Sequence, residues 1–405
     1  MSIAIAEHVL SNGLRIVAEV DRRAASAAAG FFVSTGSRDE TPEHMGISHF
    51  LEHMVFRGTG DLDGEAIDLA FESLGASHNA WTSQEVTAFH AHALPESLPG
   101  ILDLLSKLMR PNLHDQDLHD ERDVVLEEIA MYDDQPFWQL WEATGEAYYG
   151  SHPMGHRVLG NHDTVQAITP EAMRQWHGAR YGSDCIALSL AGKVDMDATV
   201  ELVQSLTADW LPTGATRARP ELEHTAQEVH RTREGVQQGY LMGIAPAPAL
   251  QDDQRCAAAV LAWLIGHGDG SLLHWALVDA GHAEEARIEY EGHDQSGVWA
   301  AWAVCRPDML DAVDTTMRRV ITSAMDDITE DDLARARAMI ATAITQHGEL
   351  PAGRMQRLGR RVTICGDIVP LEEELARIDA VTKSDLGALI DAFPPTPIVC
   401  GRLGP

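Results

Sequence analysis

His49 and His53 stand four residues apart with Glu52 between them, in the run Met45-Gly46-Ile47-Ser48-His49-Phe50-Leu51-Glu52-His53-Met54. Ile47, Phe50, Leu51, Met54 and Val55 are apolar at helical spacing, which predicts a buried helix. Positions i, i+3 and i+4 of a helix share one face, so His49, Glu52 and His53 project into the same space. Two neutral imidazoles one turn apart can hold zinc, and the neighbouring glutamate can take a proton from a water activated there. The order H-x-x-E-H is the reverse of the commoner zinc-peptidase motif. A catalytic zinc also needs a third protein ligand and keeps its fourth position open. The chain has 20 histidines, enough to place such a pentapeptide by chance, so the reading depends on finding that ligand.

The elements that must position these groups can be read in chain order. Leu14 to Val20, after the turn Ser11-Asn12-Gly13, and Ala25 to Ser34 read as strands, and Asp63 to Leu74 as a short helix. Ser77 to Ala93 reads as a hairpin with arms Ser77–Thr82 and Val86–Ala91. An amphipathic helix carries Leu98, Ile101, Leu102, Leu105, Leu108 and Met109. Asp115 to Asp133 reads as the next helix, with acids in its first turn as the helix dipole favours. Its apolar positions are Leu118, Val125, Ile129 and Tyr132, and Glu121 and Glu128 lie two turns apart on one face. Helices over Trp138–Tyr149, Thr169–Arg180 and Asp197–Leu206 and a strand over Cys185–Ala191 complete the first half.

Pro212, Thr213, Gly214 and Pro220 mark a linker over 212–223, between halves at 1–211 and 224–405. The second half repeats the pattern without the chemistry. Gly239–Ala245 mirrors the strand at Ala29–Ser34, and Cys256–Ile265 stands where the histidine helix stood. Trp299–Cys305 and Ile398–Leu403 read as strands, and Asp331–Gln346 and Arg360–Ile364 as helical.

At 405 residues and 45% hydrophobic content the chain can fill two or three cores. Its net charge of −32 and only three lysines (Lys107, Lys193, Lys383) argue against binding nucleic acid or an anionic membrane, and suit attraction of basic peptides. The five cysteines form no C-x-x-C pair and no disulfide framework, as expected of buried thiols in a reducing compartment. No signal peptide or membrane-spanning run is visible, and a cytoplasmic location is the expectation.

His49-Phe50-Leu51-Glu52-His53, then Asn79-Ala80-Trp81-Thr82-Ser83, then Glu121 to Ile129 resemble the pitrilysin/insulinase metallopeptidases, and most of all their processing-peptidase branch. Asp133-Asp134-Gln135-Pro136, His152-Pro153-Met154-Gly155 and Ile378 to Thr382 add to the likeness, which spans nearly the whole chain. The resemblance implies one zinc per chain bound by His49, His53 and Glu128, with Glu52 as general base and Glu121 as a carboxylate that orients the ligands. It implies an α+β fold of two similar halves, each an antiparallel-rich sheet carrying helices, facing each other across a chamber. It implies that Asn79 and Ala80 lie on an edge strand where a peptide substrate adds as a further strand. Glu127, about a quarter-turn off the ligand face, is expected to be a solvated charge.

The sequence departs from the family at one place. The family's second half carries an Arg and a Tyr, seven apart, that hold the substrate carbonyl. Here Val278 and Glu284 take those positions, while Arg287 and Tyr290 are three apart in the next expected strand. In paired members of this branch one subunit carries zinc and the other the Arg/Tyr pair. The resemblance therefore implies a zinc endopeptidase acting as the zinc-bearing half of a dimer, with a homologous partner; the competing reading is a non-catalytic scaffold or peptide-binding subunit.

Overall fold

The computed structural model describes residues 3–405, in two compact units that each draw on both halves of the chain. The strands of the first unit are β1 (Ala4–Val9), β2 (Arg15–Val20), β3 (Ala27–Val33), the two-residue pair β4 (Gly58–Thr59) and β5 (Leu62–Asp63), β6 (Ser77–Thr82), β7 (Thr87–Ala93) and β8 (Ile186–Gly192). Those of the second are β9 (Gln227–Thr232), β10 (Gly239–Pro246), β11 (Glu285–His293), β12 (Ser296–Cys305) and β13 (Val399–Gly404). The large sheets have the orders β1-β2-β8-β3-β7-β6 and β9-β13-β10-β12-β11. Each has one parallel pair, β2 with β8 and β13 with β9, among antiparallel neighbours. With β1 set aside, the two sheets have the same order and the same strand directions, so the chain is an α+β duplication.

Both faces of the first sheet's central strands are buried, and strand alternation divides the labour. Ile16, Ala18, Phe31, Val33, Leu188 and Leu190 face a core shared with the helix Ile47–Val55 and the helix Leu98–Leu108. Val17 and Ala187 point the other way, against Leu358 and Val362 of the helix Pro351–Cys365. Ser189 Oγ donates to the Met355 carbonyl on that face at 2.8 Å. A Cβ at Gly359 would come within 2.2 Å of the Phe32 ring, so only glycine lets helix and sheet close here. The second sheet is built alike, with the helix Arg255–Gly266 on its main core and the helix Pro136–Tyr149 on the other face, where Leu140 meets Met242 and Leu403.

The units are therefore not the contiguous halves 1–211 and 224–405 read from the sequence. Residues 130–155 belong to the second unit, and residues 345–370 to the first. The expected linker is also held by side chains. Backbone N–H groups of Thr213 and Gly214 donate to Asp184, and the buried Arg217 pairs with Asp39 at 2.8 Å, all within the first unit. Arg219 pairs with the buried Asp294 in the second.

The remaining differences are local. Strand β1 has no apolar alternation, its residues being almost all exposed, and so leaves no signature in the sequence. The helix expected from Arg360 starts nine residues earlier, at Pro351. Among the described residues no helix is long and apolar enough to cross a membrane.

Candidate metal centre

The helix Ile47–Val55 buries Ile47, Phe50, Leu51, Met54 and Val55, the residues whose spacing predicted it. Its first turn is tied down from outside. The buried Glu40 carboxylate accepts from the backbone N–H of Gly46 at 2.7 Å and of Ser48 at 2.8 Å, two donors that a helix start leaves without intrahelical partners. Burial pushes the Glu40 pKa up to about 8 despite these bonds. With its base fixed, the helix presents His49, Glu52 and His53 on one side.

The second element that brings a candidate ligand is the helix Asp115–Asp133, anchored by buried Leu118, Val125 and Ile129 and by Arg122, which donates to the Ile168 carbonyl. Glu128 Oε2 lies 3.5 Å from His53 Nε2 and 3.7 Å from His49 Nε2, and the three donor atoms fall within 4.8 Å of one another. Tetrahedral ligands about 2.1 Å from zinc stand about 3.4 Å apart, so these separations fit one divalent ion. Among the described residues no other group of three metal-binding side chains converges in this way.

The two imidazoles have different surroundings. His53 Nδ1 bonds Glu121 Oε1 at 2.9 Å, and Arg57 Nη1 lies 3.4 Å from the other Glu121 oxygen. A carboxylate behind a ligating imidazole fixes its tautomer and raises its basicity. His49 Nδ1 is buried and has no hydrogen-bond partner. Burial alone would lower the pKa of His53, but its bonds to Glu121 and Glu128 outweigh burial and raise it to about 9. Burial and the neighbouring His53 lower His49 to about 4. Contact with His53 holds both Glu121 and Glu128 below the usual carboxylate range.

Glu52 stands beside the triad. Burial raises its pKa, opposed by a hydrogen bond from Thr82 Oγ1 to Oε2 at 2.6 Å. Thr82 closes β6, which is the outermost strand of its sheet. Asn79 and Ala80 lie on this same edge, where the Asn79 side-chain oxygen accepts from the Ala80 N–H at 2.9 Å. An open cleft of about 640 Å³ runs between the strand and the histidines, lined by Glu52, His53, Phe56, Arg57, Asn79 and Ala80 among others.

Of the seven residues singled out from the sequence, Glu52, His53, Asn79, Ala80 and Glu121 line this cleft, His49 and Glu128 converge on His53 beside it, and Glu127 is exposed. Sequence reasoning missed Glu40, Arg57 and Thr82. Arg57 carried a signal, standing four residues beyond His53 in the sequence, in the turn that follows the helix. In the second unit, Val278 ends the short helical turn His274–Val278, and Glu284 accepts a bond from Gln238. Arg287 and Tyr290 lie within β11, Arg287 paired with Glu285 and the Tyr290 hydroxyl bonded to the Pro248 carbonyl.

A duplicated α+β fold, with an inverted H-x-x-E-H helix and a distal glutamate in one copy alone, defines the class of inverted-motif zinc peptidases. Within that class, the chain belongs to the insulinase peptidase family, M16. Residues 15–161 match the family description Insulinase (Peptidase family M16), and residues 167–340 match Peptidase M16 inactive domain. An uncharacterised zinc protease of Mycobacterium leprae is 32% identical, over 96% of this chain and 89% of the relative. A probable mitochondrial-processing peptidase subunit beta of Arabidopsis thaliana is 26% identical, over 95% of this chain and 75% of the relative. The fold is shared with a protease from Helicobacter pylori, whose crystal structure superposes with a TM-score of 0.92 at 21% identity over the whole of both chains.

Proposed function

We propose that this chain is a zinc-dependent endopeptidase that hydrolyses peptides or unfolded segments bound as an added strand on β6. The observation that carries the reading is the convergence of His49, His53 and Glu128 beside Glu52 and an open sheet edge. His49, His53 and Glu128 would hold one zinc per chain, which when bound would supply Lewis acidity and bring the pKa of water towards neutrality. Glu52 accepts the proton of the attacking water and delivers it to the leaving amine. Glu121 holds His53 in one tautomer. Asn79 and Ala80 offer the edge backbone to the substrate, a sequence-tolerant grip. Five cysteines, none in a disulfide, suit a reducing, cytoplasmic setting.

The absence of the Arg/Tyr pair at Val278 and Glu284 supports a further step. This chain acts as the zinc-bearing member of a dimer, with a homologous chain supplying the cationic and phenolic donors. The Arabidopsis relative's name, a subunit beta, is in keeping with that reading. The same absence favours the second reading, a scaffold or peptide-binding subunit.

Zinc content and cleavage of an unfolded peptide, compared for the native chain and Glu52→Gln, separate the two. The endopeptidase reading expects zinc in both and cleavage by the native chain alone. The partner reading expects weak turnover by the lone chain and a rise when a homologous chain bearing Arg and Tyr is added. A zinc-loaded native chain that cuts nothing, with or without that partner, establishes the scaffold.

A further inference from the structure

We propose that Thr82 is a positioning residue for this reaction, clamping the general base Glu52 so that one carboxylate oxygen is held and the other is left for water. The inference rests on the endopeptidase reading above and adds a residue that the motif does not contain. The Thr82 hydroxyl lies 2.6 Å from Glu52 Oε2, the short separation of a hydroxyl donating to a carboxylate. A hydroxyl has one proton, and the geometry commits it to Oε2. Oε1 remains free to accept from a water.

The clamp is itself rigidly held. Thr82 is paired in register with Thr87 of β7, whose own hydroxyl donates to the Thr35 carbonyl in the interior. Strand alternation puts Thr82 on the same sheet face as Ala80, which packs on the core that also holds Phe50 and Leu51 of the histidine helix. Without the clamp, the terminal torsion of a glutamate is broad and roughly two-fold, and Glu52 would sample orientations that face away from the cleft. One strand thus performs two tasks: its backbone forms the edge that receives a peptide, and its last side chain aims the base.

Thr82→Val removes the donor at nearly constant volume, and Thr82→Ser keeps it. The readouts are zinc content, and KM and kcat on a fluorogenic peptide, with Glu52→Gln as the inactive reference. Thr82→Val is expected to keep native zinc content and a KM within about two-fold, while kcat falls about 10–100-fold, as misplacement of a catalytic group by about 1 Å does. Thr82→Ser is expected to retain most of kcat. Native turnover in Thr82→Val, an equal loss in Thr82→Ser, or loss of zinc together with kcat overturns the proposal.

Crystal structures of the native chain and Thr82→Val decide the question without turnover. The Glu52 carboxylate is expected to leave its place or to occupy several, and an unmoved carboxylate overturns the clamp. Failure of the native chain to cut any peptide, with or without the homologous partner, counts against the endopeptidase reading alone, since the crystallographic comparison still tests Thr82.

Discussion

His49 and His53 come from one turn of one helix, yet their second nitrogens meet different worlds. His53 faces Glu121, and the His49 Nδ1 atom faces no partner. In the metal-free chain the His53 pKa is raised to about 9, so its pairing stabilises fully below the unfolded value near 6.5 and is lost as pH rises through 9. His49 is lowered to about 4, so keeping it neutral costs stability as pH falls from 6.5 towards 4. Zinc bound at the proposed site would have to displace the His53 proton. Calorimetric titration with zinc at pH 7.5, repeated in buffers of different ionisation enthalpy, is therefore expected to show release of about one proton. Zero protons released would show that His53 is already neutral and that the Glu121 contact is weaker than its geometry suggests. Glu121→Ala removes the outer acceptor and is expected to weaken zinc binding about 10–100-fold, read by chelator competition.

The histidine helix works only because its start is immobilised. Gly46 sits at φ +92° at the N-cap, and a Cβ there would meet the Leu159 carbonyl oxygen at 2.6 Å and Gly160 Cα at 2.9 Å. Gly46→Ala is expected to cost about 1–3 kcal/mol by urea unfolding, from strain and from loss of the backbone-to-backbone approach. Gly178→Ala, in the helix Pro170–Arg180 where an added Cβ meets nothing, should instead stabilise by about 0.5–1 kcal/mol. Equal effects of the two would remove the argument for a fixed helix start. This element was legible in the sequence because its apolar spacing, its ligands and its glycine lie within ten residues. The ligand helix was legible through the spacing of Glu121 and Glu128, although its closeness to the histidines came from the resemblance and not from periodicity. Thr82 was not legible as a partner of Glu52, since thirty residues of helix, loop and strand separate them and a threonine in a strand is ordinary. Glu40 was hidden for a similar reason: an acid in a loop reads as solvated, and only the folded chain shows it closed over two backbone donors.

At the scale of the molecule, the first sheet is not completed by the first half of the chain. Its second face is covered by the helix Pro351–Cys365, whose Leu358 and Val362 bury Val17 and Ala187. The same helix brings Arg354 and Arg357 to Glu19, a carboxylate only 1% exposed. Sequence periodicity could not assign this helix to a sheet more than 150 residues away, because an amphipathic helix declares that it has a partner and not which one. The exchange has a physical consequence for the site. Removing the helix strips an apolar sheet face and leaves Glu19 without its cations, and breaking such a buried pair costs about 3–5 kcal/mol. A fragment of residues 1–223 keeps every proposed zinc ligand, yet it is expected to lack a cooperative thermal transition and to bind the dye ANS. Adding a synthetic peptide of residues 345–370 should restore both the transition and zinc binding. Cooperative unfolding of the fragment alone, at the midpoint of the full chain, would show that the first sheet is self-sufficient and that the distant helix merely rests on it.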